Sequence, residues 1–478
     1  MFTKDYKLIF PVLQILPVLR DIHDRYQQEL YLVGGAVRDI LLQRNLKDFD
    51  FVLKERVREV ALDFSSKTGG SFVPLDRERD IYRVVADGYI YDFAKMVGST
   101  LKEDLSRRDF TINSMAVNVM DIPGNFGNKE PYLITEYIND YIIDPFGGWT
   151  DLEKGIIRVT DDKVFIKDPL RLLRAFRFKS ELGFLIEKDT ENLIHRASPL
   201  IRKIARERIG YEFSRILSNP GVARVVKYAE DNFNLFSYVI PVIKRMKEKT
   251  LEEGSGKGWN LDAWNLGIRT LECLEDYISK GFYRDRIKDD RLACLKLAAF
   301  FFYIGNIKGS RMKSRAKYTP DRQGGRMVEK ILLDLRMGKK CRRYVKQLIC
   351  YHDYPYYLFQ KKKLQPLDKT RFWLELSGDG FDVCLLSLAS FTGSNSEPVR
   401  IKAYREFING LLLYGDRVKK LTTTPLLNGE EIRSCFNLEE GPVIGYLLKK
   451  LKEAQANGKV MTRKEAINYL EKYIKEEL

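Results

Sequence analysis

Asp48-Phe49-Asp50-Phe51-Val52-Leu53 is the stretch that decides how this chain is read. Aromatic and β-branched residues suit a pleated, half-buried surface, so the run predicts a strand. Positions two apart on a strand project from one face, and Asp48 and Asp50 therefore converge. Two bare carboxylates held together repel each other, whereas a bound Mg2+ satisfies both with the hard oxygen ligands it prefers. Upstream, Gly34-Gly35-Ala36-Val37-Arg38-Asp39 ends nine residues before Asp48. It follows a strand-like run at 30–33 and leads into an apolar helix, so its glycines let backbone N–H groups approach an anion and Arg38 adds a charge-assisted donor. Downstream, 81–85 and 89–93 are also strand-like, and Asp92 in Tyr91-Asp92-Phe93 offers a third carboxylate from a neighbouring strand. Taken singly, a Gly-Gly turn is most often an ordinary tight turn, and an Asp-x-Asp pair is common at strand ends.

Beyond 168 the text changes to apolar residues spaced by three or four, as in Leu170, Leu173 and Phe176, which predicts helices. At 478 residues the chain exceeds one hydrophobic core. The expectation is an α+β fold: a head at 1–157, then helical segments at 158–225, 226–415 and 416–478. Lys plus Arg number 82 against 66 Asp plus Glu, and the net charge of +16 favours a polyanionic partner. Residues 308–326 carry seven basic residues against one acid, and with 247–258 they read as linkers or loops. Pro442 should open a helix ending near Gly458, and Thr462-x-x-Glu465 should cap the next one. No apolar run is long enough to span a bilayer, no secretory core follows the N-terminus, and the six cysteines form no C-x-x-C pair. We expect no membrane partner, a cytoplasmic location and reduced thiols.

The next element is Asp104-Leu105-Ser106-Arg107-Arg108-Asp109-Phe110-Thr111-Ile112-Asn113-Ser114-Met115-Ala116, whose polar and apolar residues cluster at helix-like spacing. Together with the Gly-Gly and Asp-x-Asp segments it resembles the first two motifs of the class II tRNA nucleotidyltransferases, the family of CCA-adding enzymes and bacterial poly(A) polymerases. The likeness continues through Asp144-Pro145-Phe146-Gly147-Gly148-Trp149-Thr150-Asp151-Leu152, then Lys167-Asp168-Pro169-Leu170-Arg171-Leu172-Leu173-Arg174-Ala175-Phe176-Arg177-Phe178, then Glu207-Arg208 with Glu212. The resemblance implies a polymerase-β-like nucleotidyltransferase head on a helical neck, body and tail, acting on tRNA with CTP, ATP or both. It implies that Asp48 and Asp50 hold Mg2+ and that Gly34, Gly35 and Arg38 hold the triphosphate. Arg108, Asp109 and Asn113 would surround the ribose, Asp168 and Arg171 would read the base, and Arg174 would join the nucleotide site. Three apart on a predicted helix, Asp168 and Arg171 share a face and offer an acceptor beside donors.

The sequence departs from the family pattern in three places. Lys167 replaces the usual glutamate before Asp168, and either alters base selection or merely pairs with a nearby acid. Only fifteen residues separate Asp92 from Arg108, so a flexible loop found in CCA-adding members is truncated here. In the family this is associated with a CC-adding specialist needing a second nucleotidyltransferase for the final A, with full CCA addition and an A-adding specialist as the other outcomes. Residues 297–306 resemble the heart of an HD phosphohydrolase domain, with Phe302 and Tyr303 where metal-binding His and Asp would stand and His352 as a remnant. That region is expected to be inactive. The alternatives are a poly(A) polymerase, which shares the active site, and a catalytically silent RNA-binding relative.

Overall fold

The alternation Asp48-Phe49-Asp50-Phe51 sorts itself across a sheet. In the computed structural model, which describes residues 10–122, 140–248, 250–251, 261–280, 283–308 and 318–477, the strands of the head are β1 (Tyr31–Val33), β2 (Asp48–Leu53), β3 (Ser71–Asp76), β4 (Ile81–Ala86), β5 (Tyr89–Lys95), β6 (Ala116–Asn118) and β7 (Ile142–Ile143). They form one mixed sheet in the order β3-β4-β5-β2-β1-β6-β7, in which β2 and β5 run parallel and the other neighbours antiparallel. The α+β expectation therefore holds, and the strands foreseen at 30–33, 49–53, 81–85 and 89–93 are present.

On one face of the sheet Phe49 stacks on Tyr91 and Phe51 on Phe93, with ring centroids 5.2 and 5.3 Å apart. Phe64, from the helix Val57–Thr68, lies 4.9 Å from Tyr91 and 5.1 Å from Phe93. Each such pair contributes about 0.5–1.5 kcal/mol beyond the area it buries. Together they fix the register Asp50↔Asp92, because a slip by one residue would turn every aromatic ring to the opposite face. On that opposite face Val33, Val52, Leu105 and Ala116 make a small core that covers one end of β2 and leaves the Asp48 and Asp50 end open.

By its contacts the chain forms two units, Met1–Ile204 and Ala205–Leu478. The second is helical from Arg206–Ser218 to Arg463–Glu477, apart from the two-residue strands Thr250–Leu251 and Leu261–Asp262. Pro442–Ala456 starts where expected and ends just before Gly458, whose φ is +69°. Its Ile444, Leu447 and Leu451 are buried, while Val443 is exposed. At the following helix the Thr462 hydroxyl accepts from Glu465 N (3.3 Å). Glu465 returns the contact one residue early, to Met461 N (2.7 Å).

Three expectations are corrected. Residues 322–326 are not loop: Arg322–Asp334 is a helix, started by Asp321, which accepts a hydrogen bond from Gly324 N, while 309–317 lie outside the described residues. Of the 247–258 stretch, 249 and 252–258 also lie outside them, and Thr250–Leu251 pairs with Leu261–Asp262. Nor are all the thiols reduced. The helices Asp289–Phe300 and Lys339–Tyr351 pack against each other, and Cys294 and Cys341 are joined in a disulfide that their distance in sequence concealed. Phe302 and His352 meet edge to face, with ring centroids 4.3 Å apart, and Tyr303 is hydrogen-bonded to Ser390. No described helix is long and apolar enough to cross a membrane.

Candidate active site

Gly34 turns the chain between β1 and the helix Gly35–Leu41 with φ +73°, a conformation that L side chains rarely adopt. A Cβ there would stand 2.7 Å from Arg108 Nη1 and 3.8 Å from Asp50 Oδ2, so the turn, the acid and the arginine converge. Asp48 is exposed and Asp50 half-buried. Burial pushes the Asp50 carboxyl up to about 6; Asp92 and Asp48 add to the shift, and Arg108 and Arg83 oppose it. A divalent cation fits this arrangement: the donors are hard oxygens, and a positive charge would restore the ionised form that burial disfavours. Arg108 donates to Asp104 (3.2 Å), while its Nε is buried without a hydrogen-bond partner.

The second motif is not one helix. The helix Leu101–Ser106 stops, residues 107–109 turn, Phe110 is extended, and a 3-10 turn follows at Thr111–Asn113. Tertiary pairing overrides the local spacing here: Phe110 bridges to Val159, and Thr111 N bonds to Arg158 O (2.9 Å). The extension places Asp109 and Asn113 inside a buried relay. Arg174 Nε donates to Asp109 (2.6 Å), Asn113 Nδ2 donates to the other oxygen of Asp109 (2.9 Å), and Arg38 donates to Asn113 Oδ1 (2.6 Å). Arg38 also forks onto Asp39 with two bonds of 2.9 Å, so it is engaged on both sides. Burial works against a charge on Asp109, but Arg174 and Asn113 outweigh it and hold the carboxyl below its ordinary value. Phe178 sits among three guanidinium groups, with Arg177, Arg38 and Arg174 centred 4.5, 5.1 and 5.5 Å from its ring. The ring supplies a quadrupole that favours cations and lets like charges stand close.

Asp168 and Arg171 do not share a helix, contrary to expectation. Asp168 precedes Pro169, is extended at φ −145°, and its carboxylate accepts from Leu170 N (3.1 Å), while the helix begins at Arg171. Proline disfavours helical backbone in the residue before it. Arg171 reaches instead for main-chain carbonyls, donating to Arg107 O (2.6 Å) and Arg108 O (3.4 Å). Lys167 pairs with Asp161. After β5 the chain reaches the helix at Leu101 in five residues, and that turn is stitched down: Val97 N bonds to Asp104, Ser99 N to Glu103, and Thr100 with Glu103 makes a capping box. The third motif is a brace, in which Asp144 accepts from Gly148 N (2.8 Å) and Trp149 N (2.9 Å) and buried Asp151 accepts from Thr111 (2.7 Å). Glu207, Arg208 and Glu212 lie on the first helix of the second unit.

Asp92 stands beside Asp50, as its strand position foretold, but Arg83 forks onto both of its oxygens at 2.8 Å. Arg83 was missed by sequence reasoning. The available signal was one charge inside the otherwise apolar strand Ile81–Ala86. Asp39, Asp104 and Phe178 were likewise visible within the motifs, but nothing local assigned their partners.

A mixed sheet that presents two acids on one strand, next to a glycine turn and a poised arginine, defines the head of a nucleotidyl-transferring enzyme. Comparison with known proteins agrees. The family model for the poly A polymerase head domain matches residues 30–158, and that for a probable RNA and SrmB-binding site of polymerase A matches 183–247. A CCA-adding enzyme of Anoxybacillus flavithermus is 33% identical over 299 residues, covering 59% of this chain and 70% of that protein. A CC-adding tRNA nucleotidyltransferase of Synechocystis is 28% identical over 92% of each chain. An A-adding one of Deinococcus radiodurans is 26% identical over 93% of this chain and 95% of its own. The fold resembles that of a Thermotoga maritima CCA-adding enzyme complexed with tRNA, with a TM-score of 0.61 and 21% identity over 97% of this chain and 96% of that one. The chain belongs to the tRNA nucleotidyltransferase and poly(A) polymerase family.

Proposed function

We propose that this protein is a template-independent tRNA nucleotidyltransferase that adds C, A or both from CTP and ATP to the tRNA 3′ end, releasing pyrophosphate. The observation that carries the reading is the convergence of Asp50 with the Gly34 turn and Arg108, with Asp48 two residues away on the same face of its strand. Mg2+ held by Asp48 and Asp50 would activate the 3′-hydroxyl and neutralise the departing pyrophosphate. The chain's own groups bind and orient. Gly34 and Gly35 let the triphosphate approach the backbone, and Arg108 donates to an oxygen of the nucleotide. The Asp109–Asn113–Arg38 relay, anchored by Arg174, fixes the wall of the ribose pocket. Asp168 and Arg171 offer an acceptor and donors to a base edge, and because Arg171 is tied to the carbonyls of 107 and 108, base reading is coupled to the Arg108 segment. We read the activity as cytoplasmic, in keeping with the absence of a membrane-spanning helix among the described residues.

The decisive experiment supplies CTP or ATP singly to tRNA transcripts ending before the first C, the second C or the terminal A. Addition confined to these positions is expected; long A tracts would make the protein a poly(A) polymerase, and no addition at all would make it a silent RNA-binding relative. Within this activity we read a CC-adding specialist that relies on a second nucleotidyltransferase for the last A. The supporting observation is the stitched five-residue turn after β5, which leaves no lever to re-aim the base-reading pair from cytosine to the larger adenine. Efficient A addition to tRNA ending in CC, with ATP alone, would refute this narrower claim.

Base selection has its own test. Asp168→Ala and Arg171→Ala should each reduce discrimination against UTP and GTP by roughly tenfold or more, since each removes part of the pattern that reads a base edge. Misincorporation assays with single nucleotides measure this. Unchanged discrimination in both variants would assign base reading elsewhere.

A further inference from the structure

The catalytic face of the sheet continues past its acids to the open edge. The pairings Asp50↔Asp92, Asp92↔Arg83 and Arg83↔Val73 set four residues in one row across β2, β5, β4 and β3. Neighbouring strands lie only about 4.8 Å apart. Distance alone would therefore let Asp92 join Asp50 around a cation. Arg83 decides otherwise, because its guanidinium occupies both oxygens of Asp92 at 2.8 Å in the parallel fork that carboxylate and guanidinium geometry favour. The pair is no loose surface contact, with the side chains 36% and 21% exposed. On the outer side Arg83 faces Val73, an apolar neighbour that offers it no competing acid. Among the described residues, no group of three or more His, Cys, Asp or Glu side chains is arranged to hold a metal ion.

We infer that Arg83 neutralises Asp92 and withholds it from the metal's ligand set, so that a divalent cation meets two carboxylates, Asp48 and Asp50, and is held firmly only when nucleotide phosphates complete its shell. The inference rests on the nucleotidyltransferase reading. Mg2+ characteristically binds through one or two carboxylates plus substrate phosphates, and a third free carboxylate would shift the site toward metal binding without substrate. Arg83 is thus a positioning residue that acts through Asp92, and its consequence is the order in which metal and nucleotide arrive.

The test titrates the full-length protein with Mn2+, reading free ion by electron paramagnetic resonance, with and without a non-reactive CTP analogue. Without nucleotide, Arg83→Gln should tighten Mn2+ binding roughly fivefold or more, the scale of one added charge near a cation in a wet site. Asp92→Asn leaves the Arg83 charge uncancelled and should weaken binding by a similar factor, and the double variant, in which both charges are gone, should return to within about twofold of the wild-type value. Thermal melts by circular dichroism check folding. The double variant sets two amides side by side, each with a donor and an acceptor for the other, so it reports even if Arg83→Gln alone loosens the sheet edge. Weakening of about fivefold or more in the charge-balanced double variant, or no tightening in a folded Arg83→Gln, would overturn the inference, the first by showing that Asp92 is already a ligand. Asp50→Asn separates this failure from a deeper one: if Mn2+ binding persists there undiminished, the metal site itself is misassigned and the inference falls with it.

Discussion

Replacing Asp48 or Asp50 with alanine should abolish nucleotide addition, lowering turnover by at least ~100-fold, the scale on which loss of electrostatic stabilisation of a charged transition state acts. The fold should survive, because the aromatic rings that fix β2 point to the other face of the sheet. Asp50 sharpens the expectation. Its carboxyl is pushed up to about 6 by burial, so the native state holds a proton that the unfolded state has already lost between its ordinary value of 3.8 and 6. Stability contributed by this group therefore falls as pH rises through that window and stays lost above it. Asp50→Asn removes the liability and should be as stable as wild type or more so at pH 7.5 without divalent metal, by about 1–3 kcal/mol at most. Added Mg2+ should raise the melting temperature of wild type and leave that of Asp50→Asn unchanged. More than a few per cent of wild-type turnover in both alanine variants would remove the metal assignment, and a strongly destabilised Asp50→Asn would mean the acid is structural.

Asp109→Asn should damage both stability and nucleotide binding. The carboxylate is the hinge of the relay, receiving Arg174 on one oxygen and Asn113 on the other, and Asn113 in turn receives Arg38. Breaking a buried ion pair by removing one partner costs about 3 kcal/mol or more, since the remaining cation keeps its desolvation cost and loses its partner. For a unit of this size that is a fall of roughly 6–12 °C in melting temperature. The pH dependence has the opposite sign to that of Asp50. Asp109 is held below its ordinary value, so its contribution is complete above about 4 and is lost as pH falls through the lower folded value. The gap between wild type and Asp109→Asn should be widest near neutrality and close at lower pH. With Arg174 and Asn113 no longer held by the carboxylate, KM for nucleotide should rise more than kcat falls. Equal melting temperatures at pH 7 would show that Arg174 finds another partner.

The chemistry-bearing residue types, their order, and the strands that carry the first of them are legible in the amino-acid sequence alone. Period-two alternation places Asp48 and Asp50 on one face and Phe49 and Phe51 on the other whatever the rest of the chain does, because side-chain direction on a strand is a local property. The glycine turn is local in the same way, since φ +73° at Gly34 tolerates little else. Which of these residues pair with one another emerges only once the chain is folded. That 107–113 abandons the helix suggested by its spacing follows from its bonding to 158–160, and that Asp168 leaves the helix of Arg171 follows from how Pro169 is used. Cys294 and Cys341 meet because their helices pack, and the partner of Asp92 follows from strand order. A hydrogen bond or ion pair between residues distant in sequence depends on a register or packing that no local pattern encodes. Arg83, an isolated charge in the sequence, therefore became part of the site only when β4 came to lie beside β5.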